Sequence, residues 1–228
     1  TSSSQPRGIT FQPDIYPRLL NLLPPGEGQR ALDAGCGEGY LSRLLAEKGF
    51  AVTGCDYRRE AFKAPEVPFV EADLNRRLPF EDDTFDLAVS VEVLEHLENQ
   101  VRFISELLRV LRPGGLLIVT TPNILSIPSR WHFLLYGYTD CAPRPLDPER
   151  REYFLQHINP IGLDRLLFLI ERFNGEMVDL TTNRIRRSAR IPLWLFGPAL
   201  RWLLRARLLR RKYASCHQLY ARHAYWMT

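Results

Sequence analysis

No stretch of this 228-residue chain stays apolar for the roughly 18 residues a membrane-spanning helix needs. There is no glycine period and no sustained heptad, which sets aside collagen-like and coiled-coil readings. The four cysteines, Cys36, Cys55, Cys141 and Cys216, are widely spaced and form no CxxC pair. Neither a zinc site nor a dense disulfide framework is therefore expected. Reduced thiols in a cytoplasmic protein are the simpler reading. The amino end, TSSSQPRG, has no apolar h-region, so no signal peptide is expected. Internal repeats and low-complexity tracts are also missing. The most informative absence is of acid at one end. Residues 180–228 hold 11 Lys and Arg and no Asp or Glu, whereas residues 1–179 hold 19 and 26, a net of −7. The modest overall charge of +4 thus hides an acidic body and a basic carboxyl end. That asymmetry points to an anionic surface as partner, membrane or nucleic acid.

What is present is ordinary for a globular protein: 45% hydrophobic and 25% charged residues. The length suits one domain over 1–228 with an elaboration. The first half alternates between strand and helix periods. Arg30–Ala34, Ala51–Asp56, Phe69–Ala72, Phe85–Val91 and Leu116–Thr121 read as strands. Tyr40–Lys48 and Val101–Leu111 read as helices, the second stopped by Pro113-Gly114-Gly115. This order implies an α/β, doubly wound, Rossmann-like parallel sheet with helices on both faces. Ile15–Leu23 reads as a leading helix. Pro122–Pro148 shows no clear period and reads as irregular. Leu163–Phe173 reads as a helix, and Met177–Thr181 and Leu219–Met227 as further strands.

The strongest local signal is Asp33-Ala-Gly35-Cys-Gly37-Glu-Gly39, between the first strand and the first core helix. Glycines let the chain turn sharply and let a ligand approach the backbone. Asp56 ends the second strand, where an acid can accept both ribose hydroxyls of an adenosine. The loop is GxGxG, not the GxGxxG of a dinucleotide site. The acid before it suits a cationic ligand, with an amino group and a sulfonium, better than a pyrophosphate. A nicotinamide or flavin enzyme and a merely structural turn stay open on the loop alone.

With Asp73-Leu74 after the third strand, LPFEDDTFDLAVSVEVLEHL and RVLRPGGLLIVTTPN, the chain resembles the class I S-adenosylmethionine-dependent methyltransferases from about Arg30 to Asn123. The resemblance implies a seven-stranded sheet whose last strand, here Leu219–Met227, is antiparallel. It implies that Asp33, Gly35, Gly37 and Gly39 surround the methionine moiety of S-adenosylmethionine and that Asp56 holds its ribose. Tyr57 would flank the adenine, Asp73 and Leu74 would contact it from the other side, and Val91 would lie near the methyl group. Ordinary packing is the alternative for Tyr57 and Leu74.

Methyl transfer from a sulfonium needs alignment of the nucleophile and exclusion of water. A hydroxyl nucleophile also needs somewhere for its proton to go. Glu92, Glu95 and His96 form ExxEH, and on a helical turn all three would share one face. The pattern is similar to that of ubiquinone-pathway O-methyltransferases and of small-RNA 2′-O-methyltransferases, where it is associated with a divalent cation. His157, before the helix Leu163–Phe173, is placed like the downstream histidine of the RNA enzymes. Three readings stay open. Glu92, Glu95, His96 and His157 hold Mg²⁺ or a softer divalent metal; His157 or His96 acts as the catalytic base without metal; or the residues are structural.

Residues 184–212 form a basic apolar elaboration. Within it, 191–212 (IPLWLFGPALRWLLRARLLRRK) fits peripheral contact with an anionic inner membrane surface. Packing on the core or in a dimer is the alternative. Nucleic acid ranks last as a partner, because the remaining 179 residues are net acidic and no RNA-binding module is visible. The leading expectation is O-methylation of a small-molecule or lipid-linked acceptor. RNA ribose 2′-O-methylation and a non-catalytic, cofactor-binding regulatory role are the competing hypotheses.

Overall fold

The computed structural model describes residues 15–138, 146–149 and 155–181. Helix α1 spans Ile15–Leu22, followed by β1 Arg30–Ala34, α2 Tyr40–Glu47, β2 Ala51–Asp56 and β3 Phe69–Glu71. Then come β4 Phe85–Val91, α3 Gln100–Val110, β5 Leu111–Thr120, α4 Ile127–Tyr136 and α5 Leu163–Arg172. The strands pair in the order β3-β2-β1-β4-β5, and every pair is parallel.

The alternation of side chains along β1 and β4 explains the layers. Ala31, Leu87 and Val89 face one layer with Leu19 of α1 and Leu41 and Leu45 of α2. Leu32, Ala34 and Ala88 face the other with Phe103, Ile104 and Leu107 of α3 and Leu169 of α5. A strand buried on both faces reads as a continuous apolar run, which is why FDLAVSV is legible as β4. Helix α3 buries Phe103, Ile104, Leu107 and Val110, one stripe at helical spacing. Its start is capped by the Asn99 side chain, which accepts from the Arg102 N–H.

Several expectations need correction. The described sheet has five strands, all parallel, and not the expected seven with an antiparallel last strand. Residues 177–181 pair with no strand among the described residues, and the expected strand Leu219–Met227 lies outside those residues, as does the elaboration 184–212. Helix α3 ends at Val110, and Leu111 already pairs with Phe85. The Arg-Pro-Gly-Gly stretch that was expected only to stop the helix is accommodated as a register shift inside β5. The segment 122–148, expected to be irregular, contains α4. Its caps are present in the sequence: Ser126 accepts from the Ser129 N–H, a proline stands in the first turn, and Gly137 closes the end in the left-handed conformation. No apolar stripe marks it, because its large apolar side chains are spread around the helix between Ser129, Arg130 and His132.

The chain leaves β1 toward β2 and β3, then crosses to β4 and β5 on the other side. The strand order reverses between β1 and β4. Loops at the carboxyl ends of these two strands diverge there and open a crevice, the usual place for a ligand in an open parallel sheet. The glycine loop follows β1, and Glu92–His96 follows β4.

Candidate cofactor and acceptor site

The glycine loop is folded back over the end of β2. The Gly35 and Cys36 N–H groups both donate to the Cys55 carbonyl, at 2.7 and 3.2 Å. Gly37 donates to Oδ2 of Asp56 at 2.9 Å. The other oxygen, Oδ1, accepts from the N–H groups of Tyr57 and Arg58 at 2.7 and 3.3 Å. Asp56 is thereby held at the crevice with both oxygens oriented by backbone. Gly39 opens α2 at φ 83, and a Cβ there would lie 2.6 Å from the Phe62 ring and 2.8 Å from Ala64. Gly35, at φ 86, would drive a Cβ into Val93. That close approach of Val93 joins the glycine loop to the loop after β4.

Asp33 is buried and accepts from the Ser42 hydroxyl of α2 at 2.6 Å. Burial pushes its carboxyl up to about 7, opposed by the Ser42 bond and reinforced by the charge of Asp56. A buried acid held near neutrality is poised to ionise when a cation arrives. Tyr16 of α1, which the sequence did not mark as a site residue, lies near this group. Burial raises its phenol, and the charges of Asp33 and Glu92 raise it further. Its ring tilts against Tyr40 at 5.4 Å. Cys36 and Cys55 are free and buried, and burial pushes the Cys55 thiol up to about 12. Cys141 and Cys216 lie outside the described residues.

On the adenine side, Tyr57 is exposed beside the Arg58 guanidinium, 5.8 Å from its ring centroid. Asp73 accepts from the Asn75 N–H at 2.9 Å and pairs with Arg76 at 3.1 Å. Leu74 is buried with the core on the α3 side. Its side chain is committed to packing, so only its main chain is left to meet a ligand. Val91 is half-buried against the opposite core layer.

The ExxEH residues do not share a helical face. Glu92 turns sharply at φ 55, and Leu94–His96 is a single 3₁₀ turn. The Thr120 hydroxyl donates to Glu92 Oε1 at 2.9 Å and accepts from the Glu92 N–H at 3.1 Å. Glu92 is thus tied to the end of β5 and is not among the donor atoms that gather around Glu95. Glu95 is fully buried. Its Oε2 accepts from Thr121 at 3.2 Å, while Oε1 has no hydrogen-bond partner among the described residues. Burial pushes this carboxyl up to about 8, with the Glu92 charge adding to it. His96 Nδ1 meets the Gln156 carbonyl at 3.1 Å. A carbonyl only accepts, so Nδ1 carries the proton and a neutral ring keeps its lone pair on Nε2, 3.9 Å from Glu95 Oε1. The His157 ring stands edge-on to His96 at 4.9 Å. Donor atoms of Glu95, His96 and His157 all lie within 4.8 Å of one another.

His157 reaches this place through a clasp that the sequence did not reveal. The Asn159 N–H donates to the Glu95 carbonyl at 3.0 Å, and its side-chain Nδ2 donates to the Leu97 carbonyl at 3.0 Å. Buried Gln100 donates to the carbonyls of Leu94 and Asn159 at 2.9 and 2.5 Å. The Asn159-Pro160 pair is the one local sign of a fixed turn there.

The comparisons agree with this geometry. A family model described as a methyltransferase domain matches residues 32–119. A relative from Mycolicibacterium smegmatis, named a probable S-adenosylmethionine-dependent methyltransferase, is 40% identical over 49% of this chain and 44% of its own length. The ubiquinone biosynthesis O-methyltransferase of Psychrobacter cryohalolentis is 27% identical over 70% of this chain and 65% of its own. Among solved structures, a SAM-dependent methyltransferase from Methanosarcina mazei superposes with a TM-score of 0.57 at 26% identity, covering 77% of this chain and 92% of that one. The match spans less than half the length of the Mycolicibacterium relative. Among the described residues no helix is long and apolar enough to cross a membrane. The switch-point crevice and the glycine loop held by Asp56 lie within the stretch that matches the methyltransferase-domain model, and the chain is similar to class I S-adenosylmethionine-dependent methyltransferases.

Proposed function

We propose that the protein transfers the methyl group of S-adenosylmethionine to an oxygen of a small-molecule or lipid-linked acceptor. The observation that carries this reading is the Val93–Gly35 approach, which joins the loop bearing Glu95 and His96 to the glycine loop. In it, Asp56 accepts from the ribose hydroxyls, and Gly35, Gly37 and Gly39 admit the methionine end. Asp33 answers the positive charge of that end. Tyr57, Asp73 and the main chain of Leu74 border the adenine, and Val91 lies at the methyl-bearing sulfur.

The acceptor oxygen attacks the methyl carbon in line. S-adenosylmethionine held there would supply an activated methyl group: a C–O bond would form as the C–S bond breaks, with a neutral thioether as the leaving group. The acceptor proton passes to an imidazole, His157 or His96. The name and coverage of the Psychrobacter relative support a small oxygen acceptor.

The same donors fit a divalent cation, because Glu95 Oε1 is buried without a hydrogen-bond partner and two imidazoles lie within reach. One carboxylate and two imidazoles suit Mn²⁺, Fe²⁺ or Zn²⁺ better than Mg²⁺. Glu95, His96 and His157 would hold the ion, whose contribution is to lower the pKa of an acceptor hydroxyl. Glu92, bonded to Thr120, is the weakest member of the expected ligand set. A lipid-linked acceptor and peripheral membrane contact through 191–212 belong to the same reading.

The test is calorimetric titration with S-adenosylhomocysteine, with and without Mn²⁺, followed by methyl transfer from labelled S-adenosylmethionine to phenols, quinols and lipid extracts. Binding, with turnover lost in His157→Ala, is expected. No binding would remove the reading altogether. Binding without turnover on any acceptor would leave the regulatory alternative.

A further inference from the structure

Two tyrosines from different helices meet beside the glycine loop. Tyr16 stands in the first turn of α1, and Tyr40 is the first residue of α2, directly behind Gly39. Their rings lie 5.4 Å apart, tilted at 44°. Ile15 and Leu19 are the buried edge of α1, and Tyr16 and Leu20, four residues apart, pack beside them on the core layer that α1 shares with α2. Arg18 ties the exposed side of the helix, donating from Nη2 to the Thr181 hydroxyl at 2.8 Å. Tyr16 is therefore held half-buried, while Tyr40 is 46% exposed.

The strand register determines what these rings border. Ala31 and Val89 point to the layer of α1 and α2, and side chains two apart on a strand share a face. Asp33, paired in register with Val89, and Val91 therefore point to that layer too, at the carboxyl ends of β1 and β4. The Ser42 hydroxyl of α2 meets Asp33 there, and Val91 packs on the same cluster as Tyr16. Glu92 follows Val91 directly. Burial raises the Tyr16 phenol, and the charges of Asp33 and then Glu92 raise it further, so acids from both strands that flank the switch point act on this ring. The surroundings select a ligand by charge. An anion would be repelled, and a neutral apolar group would leave the acids unanswered. An onium ion suits both parts, because its charge answers the carboxylates and its carbon substituents lie against electron-rich ring faces.

We infer that Tyr16 and Tyr40 form an aromatic corner that recognises the sulfonium of the methyl donor, and that the site thereby prefers the donor to the spent product. The inference rests on the methyl-transfer reading and deepens it. S-adenosylmethionine and S-adenosylhomocysteine share the amino group, the ribose and the adenine. They differ only in the sulfonium methyl and its charge. A contact with the ring faces therefore favours the first and is lost by the neutral thioether, which helps the product to leave.

The experiment is calorimetric titration of the full chain with S-adenosylmethionine and, separately, with S-adenosylhomocysteine. Tyr16→Leu keeps apolar bulk and removes the ring. It is expected to weaken S-adenosylmethionine by about fivefold more than it weakens S-adenosylhomocysteine. Tyr16→Phe keeps the ring and should hold the parent's ratio of the two dissociation constants. Tyr40→Leu should move that ratio in the same direction as Tyr16→Leu. Its exposed position makes it the variant to rely on if Tyr16→Leu does not fold. Equal losses for both ligands in the leucine variants would make the rings packing elements and overturn the inference. A Tyr16→Phe ratio shifted as far as that of Tyr16→Leu would also overturn it, by moving the contact to the hydroxyl. A parent that binds neither ligand refutes the methyl-transfer reading itself, and the inference with it. A parent that binds both, with a ratio the variants do not move, refutes the aromatic corner alone.

Discussion

Changing Asp56 to alanine separates what this residue does for the fold from what it does for the ligand. In the free protein its carboxylate accepts from three backbone N–H groups, those of Gly37, Tyr57 and Arg58. All three lie at the edge of the crevice, so water can replace the lost acceptor. The stability cost is then about 1 kcal/mol, a melting shift of roughly 2–4 °C for a domain of this size. The ligand stands to lose more. On the proposed reading two ribose hydroxyls would donate to this backbone-oriented carboxylate, contributing about 1.5 kcal/mol each at the low end for charged hydrogen bonds. A loss of about 3 kcal/mol corresponds to a Kd for S-adenosylhomocysteine raised by roughly 150-fold. Calorimetry reads the affinity, and thermal denaturation without ligand reads the fold. Asp56→Asn, which keeps one oxygen, should fall between the parent and the alanine variant in affinity. If Asp56→Ala bound within about threefold of the parent while melting lower, the residue would be a loop tether and the ribose assignment would be refuted.

Three further outcomes are expected. Burial raises the Asp33 carboxyl to about 7, so the folded state prefers it protonated; its contribution to stability falls as pH rises above the ordinary carboxylate range, and the loss is complete above about 7. Asp33→Asn should therefore gain stability over the parent between pH 5 and pH 8 in denaturant melts, and the parent, unlike the variant, should bind S-adenosylhomocysteine more tightly as pH rises through about 7; a flat parent profile would contradict the role given to Asp33. Gly39→Ala forces a side chain into the left-handed region against Phe62 and Ala64 and should cost about 2–3 kcal/mol, a melting loss of roughly 5–10 °C, with weaker cofactor binding. Asn159→Ala leaves the carbonyl of Leu97 without its donor and should cost about 1–2 kcal/mol; methyl transfer should fall further than S-adenosylhomocysteine affinity, because the clasp positions His157 and not the glycine loop. Equal losses in both would show that Asn159 supports only the fold.

The local sequence determined a good deal on its own. Strands β1, β2 and β4 were legible in their mostly apolar runs, because a strand covered on both faces buries nearly all of its side chains, with Asp33 and Ser90 as buried polar exceptions. The glycine loop was legible because φ values of 86, 51 and 83 at Gly35, Gly37 and Gly39 restrict the residue type at each position. Asp56 was legible because the end of a strand beside that loop is one fixed place. Helix α4 was not, since its large apolar side chains, Trp131, Phe133, Leu134, Leu135 and Tyr136, are exposed and set out no amphipathic stripe. The pairing of strands was not either: Met177–Thr181 has the composition of a strand and pairs with none among the described residues, because pairing needs a free sheet edge in register, which composition does not encode. The ExxEH spacing suggested one helical face, but the left-handed turn at Glu92 and its bonds to Thr120 pull it from Glu95 and His96. The meeting of His96 with His157 rests on the Asn159–Gln100 clasp, a set of hydrogen bonds between segments far apart in the chain. Local rules settled what each segment wants to be; which side chains share the crevice was decided by the sheet's strand order and by the long-range bonds that close over it.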